Sequence, residues 1–285
     1  MTYVDSTLME KLAGTLNRHA AFSELKNPVL VRAARGAVKT GSVAEVLKQY
    51  SLLPATIVEF LQIGETRLSR WKEIREELKR NIGEEMGSRT DGQTHYEILK
   101  TATARELGLY LSNVKPTACT EKFLHEIRLG LHEQPPPYAA GMLFALEASA
   151  IPELTVVARI VNLYAELIGS VEIPITLSEI DWKTGETARR LTEGQYTLNR
   201  FFAAHLFDFE VGHKNRLAEA VGKHLGAVHE LTGFEQGFES LLCIMGRWWD
   251  ALADDIRDQE ALPLLTVARQ RVIALSRETS LLLEP

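Results

Sequence analysis

The stretch "FFAAHLFDFEVGHKNRL", residues 201–217, sets His205, Asp208, Glu210 and His213 within nine positions among Phe201, Phe202, Leu206, Phe207 and Phe209. Ionisable groups among large apolar side chains carry a desolvation cost unless something pairs with them, and a metal ion is the usual partner where imidazole and carboxylate occur together. At about 100 degrees per residue, Glu210 and His213 lie about 60 degrees apart on one helical face. His205 lies about 80 degrees from His213 and about 140 degrees from Glu210, too broad for convergence on a straight helix. One extra residue taken up as a π-bulge narrows the arc to about 60 degrees, and such bulges recur at functional sites. Asp208, three residues after His205 and on its face, competes with Glu210. The plainer alternative pairs His205 with Asp208 locally and leaves Glu210, His213 and Lys214 as a solvated edge.

Two further stretches bear on that choice. "NIGEEMGSRTDGQTHYEILK" offers Glu84 and Glu85 at the end of one helical run, a turn-rich loop, then His95 near the start of the next. Alone, these read as an acidic helix end and a surface histidine. In "PPYAAGMLFALEASAIPEL", Glu147 follows Ala139, Ala140, Met142, Leu143, Phe144, Ala145 and Leu146 with no cation within four residues. An unpaired carboxylate there is costly, and a metal, a buried partner or an exposed helix edge would each relieve it. Together the stretches supply three carboxylates and three histidines, enough for two metal ions with oxygen and nitrogen ligands.

These residues resemble the haem-oxygenase-like diiron oxidases, a family that also contains the Chlamydia protein associating with death domains. The matching pieces are the "NxxEE" helix end with its following histidine, the Glu closing "YAAGMLFALE", and the late helix with histidine, carboxylate and histidine. They span about residues 43 to 250. The resemblance implies a haem-oxygenase-like helical bundle and two Fe2+ ions held by Glu85, His95, Glu147, His205, Glu210 and His213, with Glu84 and Asp208 as alternates. By the same analogy Glu85, His95 and His205 hold one iron and Glu147, Glu210 and His213 the other. One departure stands: the family's late motif is H-x3-D-x2-H, whereas His205 to Glu210 is one residue longer and ends in Glu. The implied activity is O2-dependent oxidation of a small amine or amino-acid-derived substrate, by N-oxygenation, desaturation or carbon–carbon cleavage in specialised metabolism. With no Gly-rich phosphate loop or nucleotide fingerprint in the chain, an external electron donor is expected. The alternative in the same fold is a self-sacrificing or partner-binding protein, with Tyr50, Tyr96 and Tyr138 as candidates for self-modification.

Other constellations are weaker. Ferritin-like diiron bundles need two ExxH pairs, and only "EVGH" occurs. Glu121, His125 and His132 share one face beside the Leu124, Ile127 and Leu131 stripe and read as solvated. Cys119 and Cys243 lack an evident activating base for nucleophilic work and, without CxxC spacing, give neither a disulfide framework nor a zinc ribbon.

The elements that must position these groups are helical. Amphipathic periodicity dominates, with helices expected at roughly 5–24, 40–68, 70–86, 93–110, 117–132, 137–150, 152–169, 190–226 and 233–255, and a kink at Pro54. "GSRTDGQ", "SNVKP", "EQPPP" and "EIPITLSEIDWKTGE" supply the breaks. The segment after Asp255 is amphipathic and reads as a helix capping the core or as a docking or dimer helix. We expect one all-α domain over residues 1–285, with a core at about 43–255, N-terminal helices over 1–42 and a C-terminal extension from about 256. A 45% hydrophobic and 25% charged composition fits a soluble globular protein. A net charge of -6 with interspersed Lys and Arg argues against a general nucleic-acid surface. No secretion signal or membrane span is read, so the expected setting is cytoplasmic.

Overall fold

Apolar residues recurring at three- and four-residue spacing become helices along nearly the whole chain. A computed structural model describes residues 6–35, 38–170, 174–176 and 196–281, with side chains through Ile256. The order is α1 (Ser6–Arg18), a 3-10 turn (Ala20–Phe22), α2 (Pro28–Arg35), α3 (Thr40–Arg67), α4 (Lys72–Glu85), α5 (His95–Leu107), α6 (Ala118–Glu133) and α7 (Pro136–Leu167). Then follow α8 (Leu198–Ala204), a π-helical segment (His205–Phe209), α9 (Glu210–His224) and α10 (Val228–Leu281). The protein is an all-α bundle, and no strand occurs among the described residues. The expected turn segment over 172–186 and the start of the helix expected at 190 lie largely outside those residues.

The bundle is built around α7, which packs against α3, α6, α9 and α10 and is buried along most of its length. This helix is long and apolar enough to cross a membrane, but 78% of its most apolar window is buried inside the protein, which marks it as the core helix. Its approach to α10 is backbone to backbone. A Cβ on Gly141 would lie 1.9 Å from the Phe234 carbonyl oxygen, and one on Gly237 would lie 2.0 Å from that of Tyr138. Only glycine permits that separation. Around the contact, Phe144 packs on Phe234 and Phe238, and Phe123 stacks on Trp248 with ring centres 4.0 Å apart.

Three boundaries differ from the sequence expectation, the first being the helix expected at 5–24, which ends at Arg18 and gives way to the 3-10 turn Ala20–Phe22. The helices expected at 137–150 and 152–169 are one, because Pro152 is accommodated inside α7. Proline removes one backbone donor, but burial of Leu154, Val156, Val157 and Ile160 on the far side holds the helical course. Likewise the segment after Asp255 is not a separate element, since α10 continues to Leu281.

Candidate metal centre

Glu85 is the last residue of α4 and His95 the first of α5, so the nine residues between them set the distance between two candidate ligands. That loop is built for a sharp reversal. Gly87, Asp91 and Gly92 adopt positive φ (96, 52 and 78 degrees), and a Cβ on Gly87 would lie 2.6 Å from the backbone of Gly92. The Thr94 side chain then accepts from the Glu97 N–H at 3.1 Å, capping α5 and fixing His95 in its first turn. Glu85 Oε1 lies 3.1 Å from His95 Nδ1.

The late helix delivers three more groups through its π segment. The Glu210 N–H donates to the His205 carbonyl, five residues back, which absorbs the extra residue between the first histidine and the carboxylate. His205 Nε2 comes within 3.1 Å of His95 Nδ1, while its Nδ1 is 2.7 Å from the Phe201 carbonyl oxygen. That carbonyl can only accept, so the proton sits on Nδ1 and the Nε2 lone pair faces the site. His213 Nδ1 lies 3.3 Å from Glu147 Oε2 and 3.6 Å from Glu210 Oε2. Its Nε2 is 3.1 Å from Glu84.

Glu85, His95 and His205 thus present ligand atoms within 4.8 Å of one another, and so do Glu85, Glu210 and His213. Glu85 is common to both groups. Glu147 joins the second through His213, with its other oxygen accepting from Asn81 Nδ2 at 2.9 Å. All six expected ligand positions therefore converge on one buried region. The two alternates are in neither group. Glu84 contacts the outer nitrogen of His213 and also Arg89 (3.4 Å) and Arg216 (3.5 Å). Asp208 pairs with Arg89 at 2.6 Å on the surface side, not with His205.

The electrostatics are those of a site short of positive charge. Burial opposes a charged ring at His213, but Glu147, Glu210 and Glu84 around it push its pKa far above the usual histidine range. Burial also raises Glu210, with Glu147 and Glu85 adding to the effect and His213 opposing it. Burial and the neighbouring His95 lower His205 to about 3, keeping it neutral. Glu85 is held down to about 2, because His95, His205 and His213 outweigh its burial. Three carboxylates and a proton-holding histidine in a largely buried cluster are what a divalent cation would neutralise by displacing protons. The donor set, imidazole nitrogen and carboxylate oxygen with outer hydrogen bonds fixing the rings, therefore fits a metal pair.

Beside these groups is a cavity of about 90 Å3. Glu85, His95, Glu147, His205 and Glu210 form one part of its wall, and Leu53, Pro54, Ile57, Leu99 and Phe202 are among the apolar residues of the remainder. Tyr50 and Glu153 also line it. Sequence reasoning did not find Glu153, although it is a second carboxylate in the same apolar run as Glu147. Asn81, Arg89 and Arg216 were missed too, because nothing in a linear pattern marks a residue that acts from a neighbouring helix or loop.

The comparisons with known proteins agree with this architecture. The family described as a domain of unknown function with solved structure, DUF3865, matches residues 6–183, a segment holding Glu85, His95 and Glu147. Two crystal structures titled as a CADD-like protein of unknown function from Nostoc punctiforme PCC 73102 are similar. One, at 2.00 Å resolution, is 28% identical, with 88% of this chain and 97% of that chain covered and a TM-score of 0.73. The other, at 1.35 Å resolution, is 26% identical, with 90% and 96% covered and a TM-score of 0.70. No curated protein matches. With more than half of the chain matched, from α1 to beyond α7, this protein belongs to the DUF3865 family.

Proposed function

We propose that the protein is a non-haem diiron oxidase of haem-oxygenase-like fold that uses dioxygen to oxidise a small amine or amino-acid-derived substrate. The observation that carries this reading is the convergence of three imidazoles and three carboxylates from four regions of the chain beside a largely apolar cavity. The resemblance of the ligand pattern to haem-oxygenase-like oxidases, and the CADD-like description of the similar structures, point the same way.

Ferrous ions held there would supply electrons for dioxygen reduction, with an external donor restoring them. The chain's own contribution is positioning. The Phe201 carbonyl fixes the tautomer of His205, Glu84 orients His213 from behind, and Asn81 restrains one oxygen of Glu147. Glu85, common to both groups, would contribute a ligand to both metal positions. The apolar wall from α3, α5 and α8 keeps bulk water from the reacting side.

The test is metal content and optical spectrum after anaerobic loading with ferrous iron, then exposure to dioxygen, beside a Glu147→Ala control. Two irons per chain, a new visible absorption on oxygen exposure and loss of both in the control are expected. Iron content no higher than in the control would overturn the reading.

A second reading, self-modification in the same fold, is favoured by one observation. Of the three tyrosines proposed as candidates, only Tyr50 lines the cavity. Tyr96 donates to the Leu111 carbonyl, and Tyr138 lines an outer groove with Trp71 and Pro135. A mass change confined to the Tyr50 peptide after one oxygen exposure without added substrate would select this reading over the first.

A further inference from the structure

Glu153 is a buried carboxylate that the metal-site reading does not use. It lies on α7, six residues after Glu147, is 4% exposed, and lines the same cavity as the candidate ligands. Its only hydrogen-bond partner among the described residues is the Trp249 indole, whose Nε1 donates to Oε1 at 3.3 Å. Among the described residues, no Lys or Arg lines the cavity. A buried carboxylate with one neutral donor is poorly compensated, and burial raises its pKa to about 8.

Such a group beside apolar walls has an evident use. The side chains of Leu53, Pro54, Ile57, Leu99, Leu154 and Phe202 offer a surface for a hydrocarbon body. Among the described lining residues, Glu153 is the carboxylate not already counted as a candidate ligand. No Lys or Arg among the described lining residues would pair with a ligand carboxylate, whereas an ammonium group would complete a charge-assisted pair with the ionised Glu153 side chain.

We propose that Glu153 anchors the ammonium group of a small apolar amine lacking a carboxylate of its own, holding its hydrocarbon part beside the metal centre. Only the fate of the bound amine rests on the oxidase reading; the recognition itself depends on Glu153 and the cavity. The site thereby selects a simple aliphatic or arylalkyl amine over a free amino acid or a fatty acid.

The test uses n-butylamine, n-butanol and n-butyrate as probes, measured by calorimetry and ligand-observed NMR on the full chain. Both metal-free and zinc-loaded protein are used, zinc being redox-inert. The amine is expected to bind at least about tenfold more tightly than the alcohol or the acid, and Glu153→Gln to weaken it by at least about tenfold. No detectable amine binding, a smaller preference over the other probes, or a smaller loss in a folded Glu153→Gln variant overturns the proposal. Should that variant not fold, the three-probe comparison on the wild-type chain decides alone. Metal content, read separately on the wild-type chain, distinguishes failure of the oxidase reading from failure of the amine anchor.

Discussion

The Glu210 N–H donates to the carbonyl of His205, five residues back, and in this π-type turn both side chains line the same cavity. On a regular helix the same residues would be about 140 degrees apart. The backbone irregularity is therefore what makes the late-helix ligand set geometrically coherent.

Deleting Phe207, which is half-buried within the π segment, restores a four-residue spacing between the first histidine and the carboxylate. A regular helix then spans all three groups within about 60 degrees, so metal stoichiometry should be retained. Inserting an alanine after Phe207 should abolish it. Metal analysis of both variants checks this, and equal loss in the two would contradict the role given to the π segment.

Glu84 and Glu85 are neighbours in sequence with different tasks. Glu85→Gln removes the carboxylate common to both ligand groups and should eliminate stoichiometric metal binding. Glu84→Gln leaves that carboxylate in place but weakens the brace on His213, so full loading should survive with affinity reduced by about 10–100-fold. Competition titrations with a chelator separate the two effects.

This pair shows how far the sequence was legible. Helical periodicity revealed the fold class, and the cost of leaving Glu147 or His213 unpaired in apolar surroundings revealed a site. Telling the places of Glu84 and Glu85 apart requires knowing which side of the α4 end faces His95 and which faces the outer nitrogen of His213, and two adjacent carboxylates in a linear pattern cannot tell that. Glu153 escaped notice although the argument used for Glu147 applies to it equally. The continuity of α7 through Pro152 depended on burial beyond the proline, a tertiary effect that overrides the local signal.

Stability of the metal-free protein should fall as pH rises through the window set by Glu153. Its folded-state pKa is about 8, above the ordinary carboxylate value of 4.5, so the folded chain holds a proton there that the unfolded chain releases. By linkage, this contribution is present below about 4.5 and diminishes as pH approaches 8. Glu153→Gln should flatten that dependence and be more stable than the wild type at pH 8 by on the order of a few kcal/mol. Thermal midpoints of both proteins between pH 5 and about 8.5 test the sign.

Arg89 ties the loop between α4 and α5 to the π segment, pairing with Glu84 and Asp208 and placing its guanidinium 4.5 Å from the Phe209 ring centre. The side chain is 42% exposed, so solvent weakens both ion pairs. Arg89→Ala should cost about 0.5–1 kcal/mol of stability while hastening amide exchange across residues 86–94. Hydrogen exchange followed by mass spectrometry would show whether this side chain holds the loop.

The indole of Trp249 ends in a hydrogen bond to a carboxylate on the cavity wall, while its ring stacks on Tyr50 and lies tilted against Trp248. Its excited state consequently senses the local electric field at Glu153. A charge appearing or being neutralised there shifts the emission maximum of a fluorophore already built into the chain, giving an optical reporter of cavity occupancy without any added label.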